Sequence, residues 1–375
     1  MSRRIVIFSN DPGGANTIIP LVAPLRQNGE DVLLFGKGPA LKKYAAEGLT
    51  GTDLSQILPE STPENVADWV RNVKPDAVIT GTSAVDPTEK YLWLAGERLG
   101  IVSLAVLDQW INYGIRFSPY TVYQLAEYQN DKRFPYLPSK ICVMDEFAET
   151  EALADGLPKE RLAVTGQPYF ETVLKNAAKI TPQDCIDYLE PLGIHGREIV
   201  AVFASEPLFQ EQGEPGYLGF TERSALKMLA EAIQLLCGLS GTKATLIIRQ
   251  HPREKPGNFD GIIPQIENEN LRVVFENQSN PHLAMLSAHI VCGMSSMFLL
   301  EGALLGKPVL SVMPNLTGES PFVLDRLGMT KSITSGVDLN FAVDDIFRHG
   351  PNNAGRFCPV LNAAKNVLNT LESLL

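Results

Sequence analysis

What the chain lacks narrows its class before any motif is read. Its five cysteines, Cys142, Cys185, Cys237, Cys292 and Cys358, are scattered and form no CxxC pair. A disulfide framework and a structural zinc site are therefore not expected, and the thiols read as small buried hydrophobes in a reducing compartment. No stretch approaches the roughly 20 apolar residues that span a bilayer. The apolar run behind Met1-Ser2-Arg3-Arg4 is too short for a secretion signal and reads as a first strand, so a cytoplasmic location is expected. Basic residues are the minority, 32 against 43 acidic, for a net charge of −11. That balance argues against a nucleic-acid partner, which needs a broad basic face, and leaves room for a small phosphate pocket. There is no Walker GKS/T ending, no GxGxxG fingerprint, no internal repeat and no low-complexity tract.

What is present is a long run of alternating β and α signals. A chain of 375 residues exceeds one ordinary core, and 45% hydrophobic with 20% charged residues is common globular composition. Short Val/Ile/Leu-rich runs predict strands over 5–9, 31–35, 76–80, 102–107, 140–144 and 161–165, with helices over 15–28, 64–73 and 89–99 between them. A second series predicts strands over 199–204, 244–249, 271–275, 289–292 and 308–312, and helices over 222–239, 297–305 and 337–347. The expected fold is α/β, two doubly wound Rossmann-like domains facing across a cleft. The first is placed over 1–175 and the second over 195–350, joined near 166–196, with a C-terminal helical segment over 355–375 packing back on the first.

Ligands of doubly wound domains sit beyond the carboxyl ends of the strands, so the polar residues of those loops are the site candidates. In the stretch Cys292-Gly293-Met294-Ser295-Ser296 a buried strand runs into two hydroxyls and a helix start. Ser295 reads as the N-cap, and the free N–H groups behind it suit an anion. Glu301, further into that helix, suits ribose hydroxyls; the plainer reading is an ordinary cap with a solvated glutamate. In Ile248-Arg249-Gln250-His251-Pro252-Arg253, a histidine held extended by the next proline lies between two arginines. That combination suits a phosphate, with Arg249 and Arg253 forking onto its oxygens and His251 protonating a departing group. His195, His282, His289 and His349 share no such loop and read as structural.

The first strand leads into Ser9-Asn10-Asp11-Pro12-Gly13-Gly14. Gly13 and Gly14 allow close backbone approach to a ligand or simply make a tight turn. Asp11 is a candidate base or a helix cap. Asp108, at a strand end beside Trp110 and Tyr113, is a second candidate base with aromatic neighbours for a sugar ring. Ser205 and Glu206 end the first strand of the second series. The pair Asp344-Asp345 stands in a helical pattern and is not read as a metal-binding DxD site.

On these residues the second half resembles nucleotide-sugar enzymes of the GT-B fold. Val164-Thr165-Gly166-Gln167-Pro168 resembles the interdomain VTGNP-type segment of such enzymes, and Ser295 through Glu301 to Leu305-Gly306-Lys307-Pro308-Val309 resembles the donor element of UDP-N-acetylglucosamine 2-epimerases. His251-Pro252 and Ser295-Ser296 also resemble the HP and serine motifs of bacterial sialyltransferases and capsule transferases. The resemblance implies phosphate contacts from the histidine and serines and a ribose contact from Glu301. The chain departs from both families: it has no acidic–acidic–glycine triplet, and Ser205-Glu206-Pro207 stands where the epimerases carry a histidine-rich loop.

Together these features predict a metal-independent GT-B glycosyltransferase, without a cofactor, using a nucleotide-activated sugar, in one version CMP-linked, for surface-glycan synthesis. His251 with Asp11 or Asp108 would be catalytic. Arg249, Arg253, Ser295, Ser296, Glu301, Gly13, Gly14, Ser205 and Glu206 would bind substrate. The partners are a nucleotide-sugar donor and a glycan or other small acceptor; peripheral membrane association and oligomeric state stay open. The alternatives are a UDP-N-acetylglucosamine 2-epimerase-like enzyme and a non-catalytic nucleotide-sugar-binding protein.

Overall fold

In a computed structural model of the full chain, residues 2–196, 198–349 and 357–375 are described. The expected domain edge at 350 and the first residues of the 355–375 segment lie outside them. The chain divides into two units, Met1–Thr172 with Pro359–Leu375, and Val173–Cys358.

The first unit is built on a seven-stranded parallel sheet of order β3-β2-β1-β4-β5-β6-β7. Its strands are β1 (Arg4–Ser9), β2 (Asp31–Gly36), β3 (Thr52–Asp53), β4 (Ala77–Thr80), β5 (Val102–Val106), β6 (Lys140–Val143) and β7 (Leu162–Val164). Ile5 to Phe8 of β1 are wholly buried because both faces of the sheet are covered. On one face Ile5 and Ile7 pack with Ile18, Leu21 and Leu25 of α1 (Pro12–Gln27). On the other, Val6 and Phe8 pack with Val66, Trp69 and Val70, and with Leu92 of α2 (Thr88–Leu99). Val367 and Leu371 of the C-terminal helix Ala363–Glu372 join the first of these layers, and Arg3 is ion-paired to Glu372.

The second unit carries a five-stranded parallel sheet of order β10-β9-β8-β11-β12. Here the strands are β8 (Ile199–Ala204), β9 (Ala244–Arg249), β10 (Leu271–Phe275), β11 (Ile290–Gly293) and β12 (Val309–Ser311). Val200, Val202, Ile247 and Val291 share a core layer with Ala284 and Met285, while Leu226, Leu229 and Ile233 of α3 (Glu222–Ser240) are buried as well. Both sheets are Rossmann-like. In each, the first strand lies between its two oppositely wound series, β1 between β2 and β4, β8 between β9 and β11. Those are the two topological switch points.

Every expected strand is present. Two things differ. The start of α1 is Pro12-Gly13-Gly14, three residues earlier than expected, because proline is favoured in a first helical turn and the glycines are helical rather than a turn. Short β3 and the helices Gly38–Ala46, Glu146–Ala154 and Pro182–Leu189 are additions. Among the described residues, no helix is long and apolar enough to cross a membrane.

Candidate functional site

Each switch point gathers a separate set of polar side chains. In the first unit, Asp11 follows β1 at the N-cap of α1, where its side chain makes no capping bond. Asn10 Nδ2 donates to Asp11 Oδ1 at 2.8 Å. Burial pushes the Asp11 carboxyl up from its ordinary range, and hydrogen bonds from Ser83 and Asn10 offset part of that rise. The carboxyl of Glu89, in the first turn of α2, lies fully buried beneath this loop. It accepts the Ser83 N–H and is pushed well up, by burial first and by nearby Asp11 second.

Asp108 is buried and committed within the fold. Its Oδ1 accepts from Arg116 Nη1 at 2.8 Å, and the same guanidinium donates to the Thr82 carbonyl at 2.8 Å and to Thr82 Oγ1 at 2.6 Å. Its other oxygen presses on α1: a Cβ added to Gly13 would lie 2.0 Å from Asp108 Oδ2. Gly14 likewise faces the Gly81 backbone, which a Cβ would meet at 3.1 Å. These glycines are required by close approach within the chain itself. Asp108 is thus the counter-ion of a buried arginine rather than an available base, which leaves Asp11 as the acid–base candidate here. The aromatic neighbours do not form a sugar platform either. Trp110 and Tyr113 are buried, and Trp110 Nε1 donates to Asp145 Oδ2 at 2.8 Å while its ring stacks on Phe170.

The segment carrying Arg116 is held by a residue absent from the sequence-derived candidates. Lys90 is buried on α2, and its Nζ donates to the carbonyls of Ile115, Ser118 and Tyr120 at 3.3, 2.7 and 2.6 Å. Burial takes its ammonium down to about 8.

In the second unit, a cavity of about 520 Å³ opens at the carboxyl ends of β8 and β9 and the start of the helix Met297–Leu304. Helix α4 spans Pro281–Ser287 and α5 spans Met297–Leu304. Four expected residues, Ser205, Arg249, His251 and Ser296, line this cavity together with Glu254, Asn277 and Phe298. The backbone N–H of His251 donates to Glu254 Oε2 at 2.9 Å, and its Nδ1 accepts from the Arg253 N–H at 3.2 Å. With Nδ1 an acceptor, the neutral ring carries its proton on Nε2. Burial, and then the Arg253 charge, hold the imidazole below its usual range.

Arg249 is anchored rather than free. It pairs with Glu276, donates from Nη1 to Ser279 Oγ at 3.1 Å and from Nη2 to the Ser279 carbonyl at 3.0 Å. Glu276 stays below its ordinary range: burial raises it, but bonds from Ser279 and Tyr188 and the Arg249 charge outweigh burial.

Three expectations need correction. Arg253 is exposed and paired with Glu211 at 2.8 Å, so it makes no fork with Arg249. The cap of α5 is Ser296, whose Oγ accepts the Phe298 N–H at 3.2 Å. Ser295 instead turns to Glu206, donating its N–H and its Oγ–H at 2.7 and 2.8 Å. Glu301 is neither solvated nor on the cavity wall; it is buried against His282 Nε2 at 3.0 Å. No group of three or more His, Cys, Asp or Glu side chains suited to a metal ion occurs among the described residues.

Two Rossmann-like domains in one chain are the architecture of the GT-B-like fold class. A scan of protein-family models finds no match, and a search of curated proteins finds none. Solved structures are similar over the whole chain. The UDP-GlcNAc 2-epimerase of Neisseria meningitidis bound to UDP-GlcNAc has 16% identity and a TM-score of 0.67, covering 99% of this chain and 100% of that one. The UDP-GlcNAc 2-epimerase of Methanocaldococcus jannaschii has 14% identity and a TM-score of 0.69, covering 99% of each chain. Anabaena HepE in complex with UDP and glucose has 14% identity and a TM-score of 0.61, covering 99% and 100%. At such identities the likeness is one of fold.

Proposed function

We propose that the protein is a nucleotide-sugar enzyme of the UDP-N-acetylglucosamine 2-epimerase kind, with its nucleotide held by the second domain. The observation that carries this is the cavity at the carboxyl ends of β8 and β9, where Ser205, Arg249, His251 and Ser296 converge. Support comes from the full-length likeness in fold to epimerases, one of them bound to UDP-GlcNAc. The glycosyltransferase expectation is set aside, since the sialyltransferase side of the resemblance draws nothing from these neighbours.

In this reading Nε2–H of His251 and the hydroxyl of Ser296 donate to phosphate oxygens, while Arg249 is held at the cavity wall by Glu276 and Ser279. Such pre-oriented donors stabilise charge that develops on a departing nucleotide. Phe298 offers a ring face to the base or ribose. Asp11 is the acid–base candidate of the first domain. A second reading, a nucleotide-sugar-binding protein without turnover, draws on the absence of histidine from Ser205-Glu206-Pro207.

Inversion at C2 must break and remake a C–H bond, so solvent hydrogen enters the product. Incubation of the full chain with UDP-GlcNAc in D2O, followed by proton NMR, is expected to show the 2-epimer and deuterium at C2. Bound but unlabelled sugar would favour the second reading, and sugar that neither binds nor changes would contradict both.

A further inference from the structure

Glu206 occupies a place that an anionic ligand would want. Its carboxylate accepts the Ser295 N–H and Oγ–H, and the Ser296 N–H bonds to it as well. These are donors at the start of α5, where the helix dipole and free N–H groups favour a negative group. Glu206 reaches them from the neighbouring strand: Ala204 of β8 pairs in register with Gly293 of β11, which places the two loops side by side.

The carboxylate has no countercharge there. Among the described residues no lysine or arginine pairs with Glu206. Arg249, in the adjoining cavity, is bound to Glu276 and Ser279. The charged groups around it are mostly acids. Glu222, at the start of α3, acts on Glu206 and on Glu254, and Glu254 holds Ser205 through a hydrogen bond from its Oγ. His251 stands at the far side of that network, its N–H on Glu254. Burial first, and Glu222 after it, push the Glu206 carboxyl up, while the serine bonds hold it down.

We propose that Glu206, next to the cavity-lining Ser205 and bonded by the cavity-lining Ser296, is an internal mimic of a ligand phosphate, filling the anion seat at the start of α5 and leaving it when a nucleoside diphosphate group binds, which makes it a specificity-determining residue beside the cavity. This rests on the reading of the cavity as a nucleotide-sugar site. A diphosphate displaces one negative group with another and meets repulsion until Glu206 turns away or takes a proton. A nucleoside without phosphate meets none.

The test is calorimetric titration of UDP-GlcNAc and of uridine into the wild type and Glu206→Gln at about pH 8 and about pH 5.5. The diphosphate of UDP-GlcNAc does not titrate in that interval. Like-charge juxtaposition costs several kcal/mol, so Glu206→Gln is expected to bind UDP-GlcNAc at least about tenfold more tightly at the higher pH. The gap should narrow in acid as the wild-type carboxyl takes its proton, and uridine affinity should not change. His251 also gains charge in acid in both proteins, so the difference between them carries the result.

If Glu206→Gln proves unfolded, His251→Gln replaces it. The gain in UDP-GlcNAc affinity on acidification should then persist without the imidazole. Binding of UDP-GlcNAc by the wild type at pH 8 that is as tight as, or tighter than, binding by Glu206→Gln overturns the proposal alone, as does loss of the acid gain in His251→Gln. Absence of UDP-GlcNAc binding in every folded variant removes the nucleotide reading and the proposal together.

Discussion

The two switch points answer the same physical problem in opposite ways. In the first unit a strand-end carboxylate, Asp108, lies against the first turn of α1, and a buried guanidinium neutralises it. In the second, Glu206 lies on the start of α5 with only serine donors and neighbouring acids around it. A paired buried charge is a fixture, because removing either partner strands the other. An unpaired carboxylate on a helix start can be exchanged for another anion. The difference leaves the second helix start open to exchange, whereas the glycines at the first are an internal packing requirement.

The largest effect should come from breaking the first arrangement. Arg116→Met leaves Asp108 as an uncompensated buried charge and should destabilise the chain by about 3–5 kcal/mol. Denaturant unfolding followed for the first unit would measure it. Adding Asp108→Asn should recover much of the loss; a double variant no better than the single would mean that packing, not charge, matters there.

Next comes the contrast between the two helix starts. Gly13→Ala would put a Cβ 2.0 Å from Asp108 Oδ2, and overpacking of this kind typically destabilises by about 1–3 kcal/mol. Ser296→Ala removes only the cap of α5 and should cost about 1 kcal/mol. Equal midpoint shifts for the two variants would erase the contrast.

Much of this architecture was legible in the sequence. Strands buried on both faces, such as Ile5 to Phe8 and Ile199 to Ala204, are continuous apolar runs with polar residues just beyond them. That pattern led to Asp11, Ser205, His251 and Ser296 at strand ends. The partners that decide what those residues do were not legible, because each pairing is tertiary. Glu206 meets Ser295 across 89 positions, and Glu276 meets Arg249 across 27. Arg116 lies on a single short 3-10 turn, Gly114–Phe117, too brief for an apolar periodicity to mark it, and Glu89-Lys90 read as an ordinary helix start. Capping by Ser296 rather than Ser295 was equally hidden, since two adjacent hydroxyls satisfy the same sequence signal.

A smaller effect sharpens the comparison on the first unit's side. Lys90 titrates at about 8 in the folded chain and near 10.4 when unfolded. Between those values the unfolded chain holds more protons, so stability should rise with pH, by at most about 1.4 kcal/mol per unit. Below pH 8 both states carry the charge and the slope vanishes. Urea unfolding of the wild type and Lys90→Met across pH 7.5 to 10 should therefore diverge, the wild type gaining on the variant; parallel curves would remove the buried ammonium from the picture.

The most direct measurement is amide hydrogen exchange of the full chain with and without UDP. A nucleotide seated in the second unit's cavity should slow exchange at residues 249–254 and 293–298, leaving 9–14 and 81–83 unchanged. Protection confined to the first unit's switch point, or none anywhere at saturating UDP, would contradict the assignment of the nucleotide to the second.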